Sequence, residues 1–283
     1  MSLPASIRTV WSEGRGWLAD HLSDEPVSFQ RLIWPIVLDS AERAMRLCGV
    51  RGNVSEWLEG WMKLGSDPWD IFDEMSKACS IAAGRRAVDS GWALGESWRQ
   101  LYPAIAQLVE RGGLEKGQWE PFWKMHREME RIAFGPPLEN MEKIVALMGA
   151  GVVRLNAVKS PDYQYDYDLE RFITERYALS VDVHVDAVLP GFQDFAKGSL
   201  IGRLVELGIA RRDPTSGGVE VTKSGALVGK SGQPSARLHY FGRATEGWLL
   251  GNDSLGRNAR EGISQWAKLS VENASEPEVR ALR

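Results

Sequence analysis

Apolar residues recur every three or four positions through most of the first 150 residues, the spacing of helices that bury one face. The segment "SFQRLIWPIVLDSAERAMRLCGV" (Ser28 to Val50) carries this spacing, with Pro35 either early in a helix or kinking it. "VSEWLEGWMKLG" puts Trp57, Leu58, Trp61 and Leu64 on one face. "DPWDIFDEMSKACSIAAGRRAV" opens with Asp67 as N-cap and Pro68 at the first helical position. "GESWRQLYPAIAQLVERGG" stops at Gly112 and Gly113. Two more stripes follow. Trp119, Phe122, Trp123 and Met129 mark one helix, ending at Gly135-Pro136-Pro137, and Leu138, Met141, Ile144, Val145 and Met148 mark the next.

Near residue 151 the pattern changes. "GVVRLNAV" reads as a short strand after a helix, and "VDVHVDAVLPG" (Val181 to Gly191) alternates apolar and polar residues as a half-buried strand does. "SLIGRLVELGIARR" returns to helix with Ser199 as N-cap. "GGVEVTKSGALVG" predicts a hairpin turning at Ser224-Gly225, "ARLHYFG" one more strand, and "REGISQWAKLSVENA" a final helix. The expected fold class is α+β: a mainly helical portion over 1–150, then a smaller α/β portion over 151–275 with five to six short strands. Residues 276–283 read as a frayed, charged tail.

With 283 residues the chain can form one large or two modest cores. A net charge of −4 argues against a dedicated nucleic-acid binder, which would show a basic domain. No apolar run is long enough to span a membrane, and "MSLPASIRTVWSEGRGW" lacks the features of a secretory leader, so the expected location is the cytoplasm. Cys48 and Cys79 lie far apart in helical sequence and read as buried free thiols of a reducing compartment. Of the 12 tryptophans, ten precede residue 124, which suggests a tryptophan-rich helical core or an indole-lined pocket.

The chain contains no G-x-G-x-x-G, P-loop, H-E-x-x-H, C-x-x-C or G-x-S-x-G motif. His21, His126, His184 and His239 are scattered, so no metal site is expected. Asp70, Asp73 and Glu74 share a helical face but lack an opposing acidic cluster, and read as a solvated face. Residues 199–228, helix then hairpin, resemble part of a winged-helix DNA reader in which Arg203, Arg211, Arg212 and Lys223 would meet phosphates. The strand-like segment and Pro190-Gly191 just upstream stand where that motif needs two helices.

One further stretch, "GRATEGWLLGNDSLGRN" (Gly242 to Asn258), follows the strand "RLHYF" and leads toward a helix. Glycine at this density suits backbone that takes unusual dihedrals or approaches something closely. Asn252, Asp253 and Ser254 are N-cap residues, so the following helix would start there with exposed N–H groups. The alternatives are a ligand-binding loop and a plain glycine-rich connection.

From about Trp92 to Trp266 the chain resembles the C-terminal part of a family of bacterial FAD/NAD(P)-binding flavoproteins. The likeness lies in the helical segment from "WRQLYPAIAQLVERGG" to "VALMGAGVVRL", in "VDVHVDAVLPG", and in "GGVEVTKSGALVGKSGQPSARLHYFGRATEG". In such flavoproteins the last loop and the following helix lie against the isoalloxazine ring. The resemblance implies an FAD-dependent oxidoreductase in which Gly242, Arg243, Thr245, Gly247, Asn252, Asp253 and Ser254 contact the cofactor. Arg243 would stabilise negative charge on reduced flavin, or else form a surface ion pair. Arg131 would meet a substrate carboxylate, or else cap its helix.

Two departures qualify what the resemblance implies. Ala187 to Gly191 replaces the family's alanine-threonine-glycine turn, and no FAD fingerprint precedes the region. The expected arrangement is a flavin-proximal portion completed by a nucleotide-binding domain or subunit from elsewhere, with no tight FAD binding by this chain alone. The competing expectation is a non-enzymatic interaction module, either a helical scaffold or the DNA reader around 199–228.

Overall fold

The computed structural model describes residues 5–23, 25–64, 68–155, 163–166, 171–174, 179–183, 185, 198–251 and 262–275. The fold is mainly helical with a small mixed part, the α+β class expected from the sequence. The apolar spacing becomes α1 (Ala5–Ala19), α2 (Trp34–Leu47), α3 (Val54–Lys63), α4 (Pro68–Ala82), α5 (Ser90–Val109), α6 (Trp119–Ala133) and α7 (Leu138–Gly149). A π-helical turn, Phe29–Ile33, leads into α2, and Pro35 is that helix's second residue. Pro35 thus lies inside one continuous helical stretch, directly after the wider π turn, the kind of irregularity that accommodates a proline.

Among the described residues five strands form two antiparallel sheets: β1 (Tyr163–Asp166), β2 (Arg171–Thr174) and β3 (Leu179–Val181) in that order, and β4 (Ala226–Val228) with β5 (Pro234–His239). Helices α8 (Leu200–Glu206) and α9 (Gly262–Ser275) complete the described elements.

Two expected strands are corrected. Residues 151–155 carry no strand, because the N–H groups of Val152 and Val153 donate back to Leu147 O at 2.9 and 3.2 Å and finish α7. Of the described residues in Val181 to Gly191 (181–183 and 185), only Val181 is in a strand, and Val183 and Val185 are exposed, so the alternation does not mark a buried face at those positions. The rest of that stretch lies outside the described residues, as do Asp67 and the tail 276–283.

Two compact units interleave along the chain. One comprises 1–16, 34–101 and 124–188; the other comprises 17–33, 102–123 and 189–283. In the first, Ile7, Val10, Trp11 and Ala44 form a buried cluster flanked by Cys48 and Trp92. The buried Trp11 indole donates to Ser97 Oγ at 2.9 Å, so its polar edge is satisfied inside the core. Glycine permits the closest approaches: a Cβ on Gly91 would stand 2.3 Å from the Trp57 ring. Helices α4 and α7 meet through Phe72 against Gly149, and Arg85 pairs with Glu142 at 2.5 Å. Cys79 is buried, Cys48 half-buried, and both are free thiols. Asp70 and Asp73 are exposed, and Glu74 lies 3.7 Å from Lys77.

In the second unit, Val27 bridges Leu114, Gln118 Oε1 accepts from Ser28 Oγ and the Gln30 N–H, and Phe29 packs edge-on to Phe122 at 5.4 Å. Its other core gathers Ile201, Ala210, Val219, Val221, Leu227 and Ala244. Ser199 caps α8 as expected, accepting the Gly202 N–H at 3.1 Å. The hairpin turns where predicted: Gly225, at φ 80°, donates to Thr222 O, and Tyr240 N–H donates to Gly225 O. Among the described residues no helix is long and apolar enough to cross a membrane.

Candidate functional site

The loop from Gly242 to Gly251 belongs to the second unit and is pinned from two directions. On the hairpin side, Val219 N–H donates to Ala244 O at 2.8 Å, and the Trp248 indole donates to Val221 O at 2.8 Å. Gly218 lies so close that an added Cβ would be 2.4 Å from Trp248 N and 2.5 Å from Glu246 O. At the end of α5 a short 3₁₀ turn, Glu110–Gly112, supplies the second anchor. Arg111 N–H donates to Trp248 O at 2.7 Å, and Leu250 N–H donates to Glu110 Oε1 at 3.1 Å.

Inside the loop, Arg243–Thr245 form one 3₁₀ turn. Thr245 is fully buried; its hydroxyl donates to Gly242 O at 2.8 Å, and its own carbonyl accepts from Trp248 and Leu249. The three glycines Gly242, Gly247 and Gly251 have φ of 133°, 97° and 67°, values that disfavour side-chain-bearing residues. Gly242 is the open point. A Cβ there would meet, among the described residues, only the Tyr240 hydroxyl, at 4.0 Å. Among the described residues the N–H groups of Gly242 and Arg243 find no protein acceptor.

Arg243 lies with its Nε 3.7 Å from Glu246 Oε2, and that Nε is buried without a hydrogen-bond acceptor. Gly247 is buried and its N–H donates to Leu249 O. Asn252, Asp253 and Ser254 lie outside the described residues; the described part of the following helix begins at Gly262. Its Trp266 packs against Phe241 and His239, each at 6.3 Å.

Arg131 belongs to the first unit. It stands in the last turn of α6, pairs with Glu128 at 3.1 Å, and lies over the Trp61 ring at 5.4 Å. Glu128 also accepts the Trp61 indole N–H at 3.0 Å, and Trp57 stacks on Trp61.

No protein-family model matches the chain, and no curated protein does.

The cations of 199–228 are largely engaged. Arg211 pairs with the buried Glu220 at 2.6 Å, which raises its pKa; Arg212 donates to Gly217 O, and Arg203 lies 3.9 Å from Glu206. Glu110 and Arg111 were not singled out by the sequence, where "ERGG" reads only as a helix stop. A cleft of about 200 Å³ borders them, lined also by Ser23, Glu25 and Gln107.

Proposed function

We propose that this chain is the flavin-proximal, C-terminal portion or subunit of an FAD-dependent oxidoreductase. The resemblance of residues 92–266 to such flavoproteins motivates the reading. The observation that carries it is the open backbone at Gly242, with two adjacent N–H donors that find no acceptor among the described residues, on a loop otherwise pinned at both ends. A flat heteroaromatic ring with acceptor atoms at its edge suits such a surface, because nothing projects from Gly242 to keep it away. FAD would supply the redox chemistry. The chain would supply position: Gly242 and Arg243 donating main-chain hydrogen bonds and Thr245 fixing the turn that presents them; the Arg243 guanidinium would add positive charge to the flavin only if it left Glu246. Arg131 would meet a substrate carboxylate only if it left Glu128.

A few neutral hydrogen bonds, each about 1 kcal/mol net, do not offset the freedom lost when a ligand is immobilised. The chain alone therefore holds FAD weakly, and a nucleotide-binding half in another segment or another protein completes the site in the cytoplasm. Titrating FAD into the ¹⁵N-labelled chain tests this. The expected result is shifts confined to amides of residues 242–251, with no flavin retained after gel filtration. Stoichiometric retention of FAD would contradict the need for a second half, and an unperturbed loop at saturating flavin would remove the flavin reading.

A further inference from the structure

We infer that Glu110 and Arg111, at the C-terminal end of α5, are positioning residues that hold Trp248 and Leu250 in register so that the Gly242 end of the loop is presented in one conformation. The inference rests on the flavin reading only for what the loop is used for; the clamp itself stands on geometry within one unit. Arg111 grips the loop with a main-chain donor, 2.7 Å from Trp248 O. Glu110 grips it with a carboxylate oxygen, 3.1 Å from the Leu250 nitrogen. The second carboxylate oxygen of Glu110 lies 3.4 Å from Arg111 Nη1, so the side chain of one gripping residue orients the other. The Glu110 side chain is only 15% exposed, which limits competition from water for its bond to the loop.

The backbone of Arg111 supports a role beyond ending a helix. It has φ 61° and ψ 38°, and it is the only non-glycine residue with positive φ among the described residues. This conformation is costly for a residue with a Cβ, whereas glycine adopts it freely. Gly112, the next residue, has φ 83°, so the same turn already uses glycine for that purpose. An arginine kept at the strained position retains the side chain that meets Glu110. Strain of this kind persists where surrounding contacts over-determine it, and it clusters at sites where geometry matters. Trp248 passes the constraint onward. Its carbonyl is held by Arg111, its indole by Val221, and its N–H by Thr245 O at 3.0 Å. Thr245 is in turn bonded to Gly242, so a chain of hydrogen bonds runs from Glu110 and Arg111 to the open end.

Amide hydrogen exchange and ¹⁵N spectra of the full chain test the clamp without any ligand. In Glu110→Ala the Leu250 amide should exchange about tenfold faster or more, because a charge-assisted hydrogen bond is lost. Resonances of Gly242 and Gly247 should move with it. Glu110→Gln keeps an oxygen acceptor for Leu250 and should restore exchange to within about threefold of the parent. Arg111→Gly relieves the backbone strain and keeps the N–H. It should leave the unfolding midpoint unchanged or raised while still accelerating exchange at Leu250, a combination that a purely structural residue would not produce. Unchanged exchange at Leu250 in Glu110→Ala overturns the inference. So does equal acceleration in the alanine and glutamine variants across every amide of residues 198–251. Adding FAD to the parent chain separates the two readings: a loop that ignores flavin removes the flavin reading, while the exchange data still decide the clamp.

Discussion

Gly218 shows how much of this loop's conformation depends on the absence of a single carbon. A methyl group there would overlap Trp248 N and Glu246 O, both main-chain atoms that cannot rotate away. We expect Gly218→Ala to destabilise the protein by about 1–3 kcal/mol, the range for overpacking, measured by urea unfolding. An alanine variant as stable as the parent would mean that the loop can retreat from the hairpin. The thiols give a residue-scale prediction of a different kind. Burial raises the Cys79 pKa above its ordinary 9.0, with the Glu142 charge adding to the rise, and burial alone raises that of Cys48. A group whose folded pKa is raised contributes stability that is complete below its unfolded pKa and is lost as pH climbs through the folded one. The thiol contribution should therefore be constant below about pH 9 and fall above it. Replacing Cys79 with serine should flatten that alkaline decline in a pH series of unfolding midpoints. Cys79 should also be alkylated far more slowly than a free thiol at neutral pH, since the thiolate is the reactive form.

At the scale of elements, the helices were legible because their evidence is local. One apolar stripe and one stop are enough, and α6 shows it: Trp119, Phe122 and Met129 are buried as the spacing requires. His126 is buried on the same face, a polar residue that the apolar spacing passes over, and Trp123 is only half-buried. Caps are equally local. Asn53 Oδ1 accepts the Glu56 N–H at 3.0 Å at the start of α3, and Asn53→Ala should cost about 1 kcal/mol in thermal unfolding. A negligible cost would mean that water serves Glu56 equally well. The strands were harder to read. "GVVRL" has β-branched residues suited to a strand, yet the glycine stop of α7 recruits their N–H groups first. β1 to β3, by contrast, pair Tyr163 with Thr174 and Phe172 with Val181. The aromatic and β-branched residues of "YQYD" and "RFIT" are the signals that mark β1 and β2, in a stretch whose many charged residues weaken the apolar pattern.

For the whole molecule, what the sequence concealed is long-range. Glu110 and Leu250 are 140 positions apart, and no periodicity connects them. The second unit is assembled from three separated stretches of chain, so the anchors of the Gly242 loop lie in a segment that reads as a helix end. The loop itself was legible, because glycines beyond a strand carry their meaning locally. The ion pair expected as the alternative role of Arg243 is present, made with Glu246 three residues on. The central claim, that this loop faces a flavin held with the help of a nucleotide-binding half, concerns the protein in its native assembly. The most direct test is to isolate the protein from its native source without denaturation, through an antibody to the exposed face of α7 around Glu139, Asn140 and Lys143, and record its visible absorption. The account predicts a flavin spectrum at near-stoichiometric amount, carried by the same polypeptide or by a companion that co-purifies with it. Material that is pure, folded and free of flavin would contradict the account.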